Sequence, residues 1–401
     1  MTYKMLDGNS AAVEAMKLAK VQVISAYPIT PQSSISEKLS DLVESGELKA
    51  EYIRVESEHT ALSVATTAQL TGARSATATA SNGLALMHEI LSMTSGNRVP
   101  IVMPVVNRGI AAPWTLWCEH GDSIAQRDTG WMQFYSQNVQ EVLDLTLTTY
   151  KIAEHGDVLT PAMVCIDGFF LSHSLQKVKV PTQEEVDKFL GKYVLKNTYL
   201  DPSDPMFICN LTPPEDFTEM RYQQKVGMDN AIKVIEEVQK EFLSKFGRKL
   251  HIIEGYKTDD ADVVLLAMGS MTGTAKYVVN KMRSQGKKVG IAKLTVFRPF
   301  PFEHIKNLLG DKKVIGVFDR SAGLGGQGGP VWSEVSVALK EFDIDIRSYI
   351  GGLGGRDVPA DTIEKIFDEL LSIQNREKDT HTQWIDLKKN AMEIREVIKH
   401  V

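Results

Sequence analysis

Short, continuous apolar runs recur along this chain, each parted from the next by a helix-length segment, and few folds accept that alternation. In the first half the strand-sized runs are 21–26, 52–55, 75–79, 101–106 and 162–167. Helical stretches stand between them at 8–19, 34–45, 58–70, 81–94 and 139–155. A strand that is apolar on both faces must be buried on both, so a parallel sheet with helices on each side is expected. The pattern returns at 263–268, 289–294 and 314–319, with helices up to Ser284, from Glu303 and from Val331.

A polar, proline-containing connection (174–219) and a helix (218–246) separate the two units. With 401 residues the chain has room for two or three domains. The expected division is an α/β domain with its connecting segment over 1–217 and a helical linker over 218–258. A second α/β domain follows over 259–372, then a charged C-terminal helix over 373–401.

The formal net charge is -6, and Lys and Arg are interleaved with Glu and Asp, so no basic surface of the kind nucleic acids require is marked out. The first twenty residues have no apolar core of signal-peptide length. The longest apolar runs, such as 99–106, are too short to span a bilayer, so a cytoplasmic protein is expected. Three isolated cysteines, Cys118, Cys165 and Cys209, form no CxxC pair and have no His at zinc spacing, so no metal site is expected. An iron–sulfur cluster needs about four thiolates, so one chain of this sequence cannot hold a standard one.

Between Asn107 and Gln133 the periodicity disappears, and an irregular segment of that length is uncommon unless functional. It carries Arg108, Trp114, Trp117, Cys118, His120, Asp122, Arg127, Asp128 and Trp131. His59 and His120 read as solvated residues, and the tryptophans as packing or pocket-lining ones. Cys118 has no identified base to make it a nucleophile.

Two glycine clusters invite a nucleotide reading. Gly323, Gly325 and Gly328 satisfy GxGxxG after the run VIGVFD, which would set a pyrophosphate on the next helix N-terminus. Against this, Asp343 and Asp345 precede the apolar part of the next strand instead of closing it, and the turn falls late in its unit. The alternative is a turn that packs closely against other backbone, a role that GGLGGRDVP (351–359) would share. Neither cluster has the GKS or GKT of a P-loop.

A sharper constellation lies in YPITP (27–31), VESEHTAL (55–62), TASNGLALM (79–87) and NRGIAAP (107–113). Glu58 opens a helix directly after a strand, with Ser57 as a credible N-cap, so its carboxylate belongs at the C-terminal edge of the sheet, where α/β proteins place ligands. Thr30 and Arg108 follow strands at the same edge. Arginine can grip a small carboxylate through two bonds, and threonine can donate one more.

These segments, in this order, resemble the α subunit of the pyruvate:ferredoxin oxidoreductase family. The resemblance continues through EHGDSIAQRDTGW (119–131), KKVGIAKLTVFRPFP (287–301), DRSAGLGGQGGP (319–330) and GLGGRD (352–357). It implies a pyrimidine-type thiamine-diphosphate-binding domain followed by a transketolase-C-like α/β domain. It also implies oxidative decarboxylation of a 2-oxoacid, foremost pyruvate, with coenzyme A to acyl-CoA, CO2 and reduced ferredoxin, or the reverse. Other acids open to the family are 2-oxoisovalerate, an aryl-2-oxoacid and oxalate; an NAD-binding dehydrogenase subunit is the alternative of another class.

The family's cofactor is shared with a β-type chain that carries the diphosphate and Mg2+ site, and [4Fe-4S] clusters sit in partner chains of γ and δ (ferredoxin-like) type. By the resemblance, Glu58 bonds the aminopyrimidine ring, while Thr30 and Arg108 meet the substrate carboxylate. Tyr27, Pro28, Ile29, Ser81 and Asn82 join Glu58 in cofactor binding.

Overall fold

The computed structural model describes residues 2–194, 198–373 and 382–388. The chain opens with β1 (Thr2–Leu6), α1 (Gly8–Leu18), β2 (Val23–Ala26), α2 (Ser33–Glu44), β3 (Glu51–Arg54) and α3 (Glu58–Leu70). Next come β4 (Ser75–Ala76), α4 (Ser81–Leu86), α5 (His88–Gly96), β5 (Val102–Asn107), α6 (Gly121–Ile124) and β6 (Met132–Tyr135). The first half closes with α7 (Val139–Ala153), β7 (Ala162–Asp167), β8 (Gln176–Val180), α8 (Gln183–Leu190) and the long α9 (Pro214–Phe246).

The second half contains β9 (Ile253–Tyr256), β10 (Val263–Ala267), α10 (Met271–Ser284), β11 (Val289–Leu294) and β12 (Val296–Arg298). It ends with α11 (Phe302–Leu309), β13 (Val314–Asp319), α12 (Pro330–Ala338), β14 (Asp345–Ile350), α13 (Ala360–Ile373) and β15 (Thr382–Trp384).

Strands β3, β2 and β4 pair in parallel, as do β6, β7 and β5. Backbone bonds from Thr79 N–H to Pro104 O and from Val106 N–H to Thr79 O join the two groups edge to edge. The second sheet runs β15-β14-β13-β10-β11-β9, parallel except for β9. β5, β7, β10 and β13 are buried throughout, as their unbroken apolar runs require.

Several expectations are corrected. The helix read over 81–94 is two helices that meet at Met87. The connection at 174–219 holds a strand and a helix: β8 pairs antiparallel with β1, and α8 starts with a Thr182–Glu185 capping box. The first sheet is not built from the first half alone. Straight after β11, β12 crosses over and pairs antiparallel with β6. One buried cluster accordingly runs through both halves, from Leu62, Met103 and Met163 to Leu266, Phe297 and Val317.

Where a charged helix was expected over 373–401, α13 ends at Ile373 and residues 382–384 form a strand parallel to β14. Residues 382–388 dock on this chain: Ile385 N–H bonds Ile350 O, and Thr362 Oγ1 donates to Asp386 Oδ2. The rest of that expected helix lies outside the described residues. Among the described residues no helix is long and apolar enough to cross a membrane.

Candidate functional site

Glu58 is the first residue of α3, and the helix does not need it as a cap. Ser57, in extended backbone, accepts the N–H of Thr60 at 3.2 Å and does that work. The Glu58 side chain is left 7% exposed, with no hydrogen bond or ion pair among the described residues. Gly83 of α4 lies against it: a Cβ there would come within 2.5 Å of Glu58 Oε1 and 2.7 Å of Thr79 Oγ1. The glycine lets one helix pass close over the carboxylate of another.

Arg108 follows β5 and is 6% exposed. Its Nη1 donates to the Thr30 carbonyl and its Nε to the Thr115 carbonyl, both at 2.8 Å. Burial draws its pKa down from the ordinary arginine value. The structure thus joins Thr30 and Arg108 as expected, but through the threonine's backbone. The exposed Thr30 hydroxyl and Nη2 of Arg108 bond no protein group among the described residues.

Ser81 donates from Oγ to Gly109 O at 2.6 Å, and Asn82 Oδ1 accepts Ala111 N–H at 3.0 Å, so both brace the Arg108 loop. Tyr27 and Pro28 instead line a groove of about 470 Å³ with Glu37, Asp41 and Arg54, and no hydrogen bond ties Tyr27, Pro28 or Ile29 to Glu58 among the described residues.

The residue that holds these parts together is Asp122, which sequence reasoning met only as one polar residue of the loop. Its buried carboxylate accepts the backbone N–H groups of Ser81 (2.9 Å), Arg108 (3.0 Å) and Ser123 (2.8 Å) and Nδ2–H of Asn107 (2.8 Å). Burial pushes its pKa upward while those bonds oppose the rise. No local pattern marks it, since its donors come from three segments.

Two family models match this sequence. The model described as pyruvate flavodoxin/ferredoxin oxidoreductase, thiamine diphosphate-binding, covers residues 14–240, and pyruvate:ferredoxin oxidoreductase core domain II covers 261–363. The chain belongs to the pyruvate:ferredoxin oxidoreductase family. It is 48% identical to the pyruvate synthase subunit PorA of Methanocaldococcus jannaschii over 96% of this chain and 98% of that one. The ketoisovalerate oxidoreductase subunit VorA of Pyrococcus abyssi is 43% identical over 96% and 98%.

Among solved structures, a 2-oxoglutarate:ferredoxin oxidoreductase from Magnetococcus marinus matches with a TM-score of 0.71 at 17% identity. That match covers 92% of this chain but 65% of the longer one, and it supports the fold. A split-gene transketolase matches with a TM-score of 0.56 at 11% identity, over 93% and 100%.

In this member of the pyruvate:ferredoxin oxidoreductase family the far end of the Arg108 loop is fastened to the second α/β unit. Asp167, closing β7, accepts His120 Nε2–H at 2.8 Å on one oxygen and Arg320 Nη1–H (2.8 Å) and Ser270 N–H (2.9 Å) on the other. Burial works to raise the pKa of Asp167, but His120, Arg320 and Ser270 outweigh it and hold the carboxyl well below its usual range. His120, expected to be solvated, is 1% exposed because it spans this junction. His59 lies at the surface, 3.5 Å from Glu89.

Cys118 is fully buried, and burial pushes its thiol well up, the opposite of the shift that activates a cysteine nucleophile. The ligand atoms of Cys118, His120 and Asp167 lie within 4.8 Å of one another, but the Arg320 guanidinium already serves the same carboxylate. Of the tryptophans, Trp131 packs in the core, while Trp114 and Trp117 are exposed.

The GxGxxG turn is not built for a pyrophosphate. The N-terminus of α12 is taken by Asp319, whose Oδ1 accepts Val331 N–H (2.9 Å) and whose Oδ2 accepts Trp332 N–H (3.1 Å). Asp345 opens β14 and pairs with Arg347. The second cluster packs against backbone: Gly355 N–H bonds Cys118 O at 2.8 Å, and a Cβ there would meet Trp117 Cβ at 2.2 Å.

Proposed function

We propose that this chain is the pyrimidine-side α subunit of a pyruvate:ferredoxin oxidoreductase, converting pyruvate and coenzyme A to acetyl-CoA and CO2 with two electrons passed singly to ferredoxin, or running the reverse. The observation that carries this is Glu58, a residue 7% exposed at the sheet edge whose carboxylate has no protein partner among the described residues. A carboxylate held at the sheet edge with no protein donor is open to a donor from a ligand. The aminopyrimidine ring of thiamine diphosphate is such a ligand, and Gly83 lets α4 back the carboxylate without a side chain displacing it.

When bound, thiamine diphosphate supplies the electron sink for loss of CO2. Glu58 would hold a proton shared with the ring nitrogen. Arg108, pinned at Nε and Nη1, would offer its remaining Nη2 edge to the substrate carboxylate, and the free Thr30 hydroxyl would add one bond. Ser81 and Asn82 act behind them by bracing the loop; Tyr27, Pro28 and Ile29 would enter as backbone and wall beside Thr30. With three cysteines in all, this chain leaves the [4Fe-4S] clusters to ferredoxin-like γ and δ partners and the diphosphate with its Mg2+ to a β-type partner.

Pyruvate is preferred over 2-oxoisovalerate because seven pyruvate synthase relatives match at 40–48% identity, five of them above a ketoisovalerate relative at 43%. Anaerobic purification of the tagged chain with whatever accompanies it tests the reading. Iron, thiamine and CoA-dependent turnover faster with pyruvate than with 2-oxoisovalerate, an aryl-2-oxoacid or oxalate are expected. A lone chain without thiamine that retains NADH would overturn it.

A further inference from the structure

Asp122 carries no ion pair among the described residues, and all four groups that meet its buried carboxylate are neutral donors. An anion buried without a countercharge is costly, and packing alone would favour an apolar side chain here. What the anion achieves is convergence. One donor is the N–H of Arg108; another is the N–H of Ser81, at the start of the helix whose Gly83 backs Glu58. Asp122 Oδ2 accepts both, so a single atom ties the substrate-gripping segment to the segment behind the pyrimidine-facing carboxylate.

We propose that Asp122 is a positioning residue of the reaction, fixing the Arg108 backbone against the start of α4 and thereby the reach of the guanidinium towards the substrate carboxylate. This rests on the reading of Arg108 given above. Because Nε and Nη1 are already held by Thr115 and Thr30, a shift of the Arg108 backbone has no slack to absorb it. A substrate-holding group that is misplaced loses its grip on the carboxylate in ground and transition states alike, so kcat/KM falls chiefly through KM.

Asp122→Asn keeps size and shape but turns an NH2 towards a pair of N–H donors in either orientation. In the assembled complex KM for pyruvate is expected to rise about tenfold or more, with kcat changed much less. A merely structural residue would lower the active fraction, and so apparent kcat, at unchanged KM. The swap Asn107→Asp with Asp122→Asn is the second arm. It restores a donor–acceptor pair between the two side chains and leaves an acceptor towards Ser81 and Arg108.

In the swap the new oxygen replaces Asn107 Nδ2, so the Ser123 N–H loses its acceptor and Ser123 Oγ loses the Asn107 donor and must turn its own hydroxyl to the new carboxylate. The oxygen already buried without a partner at position 107 is unchanged. The swap should return KM towards the wild-type value, and it decides the matter if Asp122→Asn does not assemble. A wild-type KM in Asp122→Asn, or a raised KM that the swap fails to lower, overturns the positioning role. Arg108→Ala is measured alongside: unchanged KM there removes the reading of Arg108 itself, whereas a raised KM there beside a normal Asp122→Asn removes only the role of Asp122.

Discussion

Glu58 and Asp319 occupy the same kind of place and have different fates. Each stands at the C-terminal edge of a parallel sheet near a helix N-terminus, and each is buried, at 7% and 2% exposure. Asp319 has both oxygens filled by backbone N–H groups of α12. Glu58 has neither filled, because Ser57 has relieved it of capping α3. Even the glycine beside each follows the contrast: Gly329 lets Asp319 reach its donors, and Gly83 leaves room for a carboxylate with none. Burial at a sheet edge does not by itself mark a site, and the reading proposed for Glu58 rests on its acceptor being kept unpaired there.

The contrast is broken most directly at Glu58. Glu58→Gln preserves volume but removes the carboxylate through which the proposed sharing of a proton with the ring nitrogen would run. Turnover with pyruvate should fall by about 10²–10⁴-fold, the usual contribution of a positioned acid or base. Iron content and subunit composition of the complex should not change. Wild-type turnover in this variant would make Glu58 another structural carboxylate.

A smaller effect is expected from Gly83→Ala. Alanine suits a helix better than glycine, so α4 itself loses nothing. The new methyl would lie 2.5 Å from Glu58 Oε1, 2.7 Å from Oγ1 of the buried Thr79 and 2.8 Å from Glu58 Cγ, so both side chains must shift. The complex should assemble with a small loss of thermal stability, while kcat with pyruvate falls about tenfold through misplacement of the carboxylate. Loss of stability with intact specific activity would mean that the gap serves packing.

Much of this was legible in the sequence where residues declare themselves locally. The helix 58–70 and the strands 162–167, 289–294 and 314–319 fall where continuous apolar runs and a Ser N-cap place them. What stayed hidden depends on partners remote in the chain. β12 is three residues long and reads as the tail of β11, yet it pairs with β6 more than 150 residues earlier. His120 is an ordinary loop histidine until Asp167 meets it. Asp122 has no periodicity to betray it; the only hint was a run of polar residues in a loop too long to be idle.

The smallest effect is expected at Asp319, and its kind matters more than its size. Asp319→Ala strands the N–H groups of Val331 and Trp332 at a buried helix end. The cost is about 1–3 kcal/mol of stability, read as a lower denaturation midpoint. Because both oxygens already serve backbone, nothing is withdrawn from a ligand, and KM for pyruvate and the thiamine content of the complex should stay at wild-type values. The variant also tests the nucleotide reading from the opposite side. If the GxGxxG turn held a pyrophosphate, removing an anion that occupies the α12 N-terminus should strengthen NADH binding; no such binding is expected, because the turn serves to seat Asp319 and not to receive a cofactor.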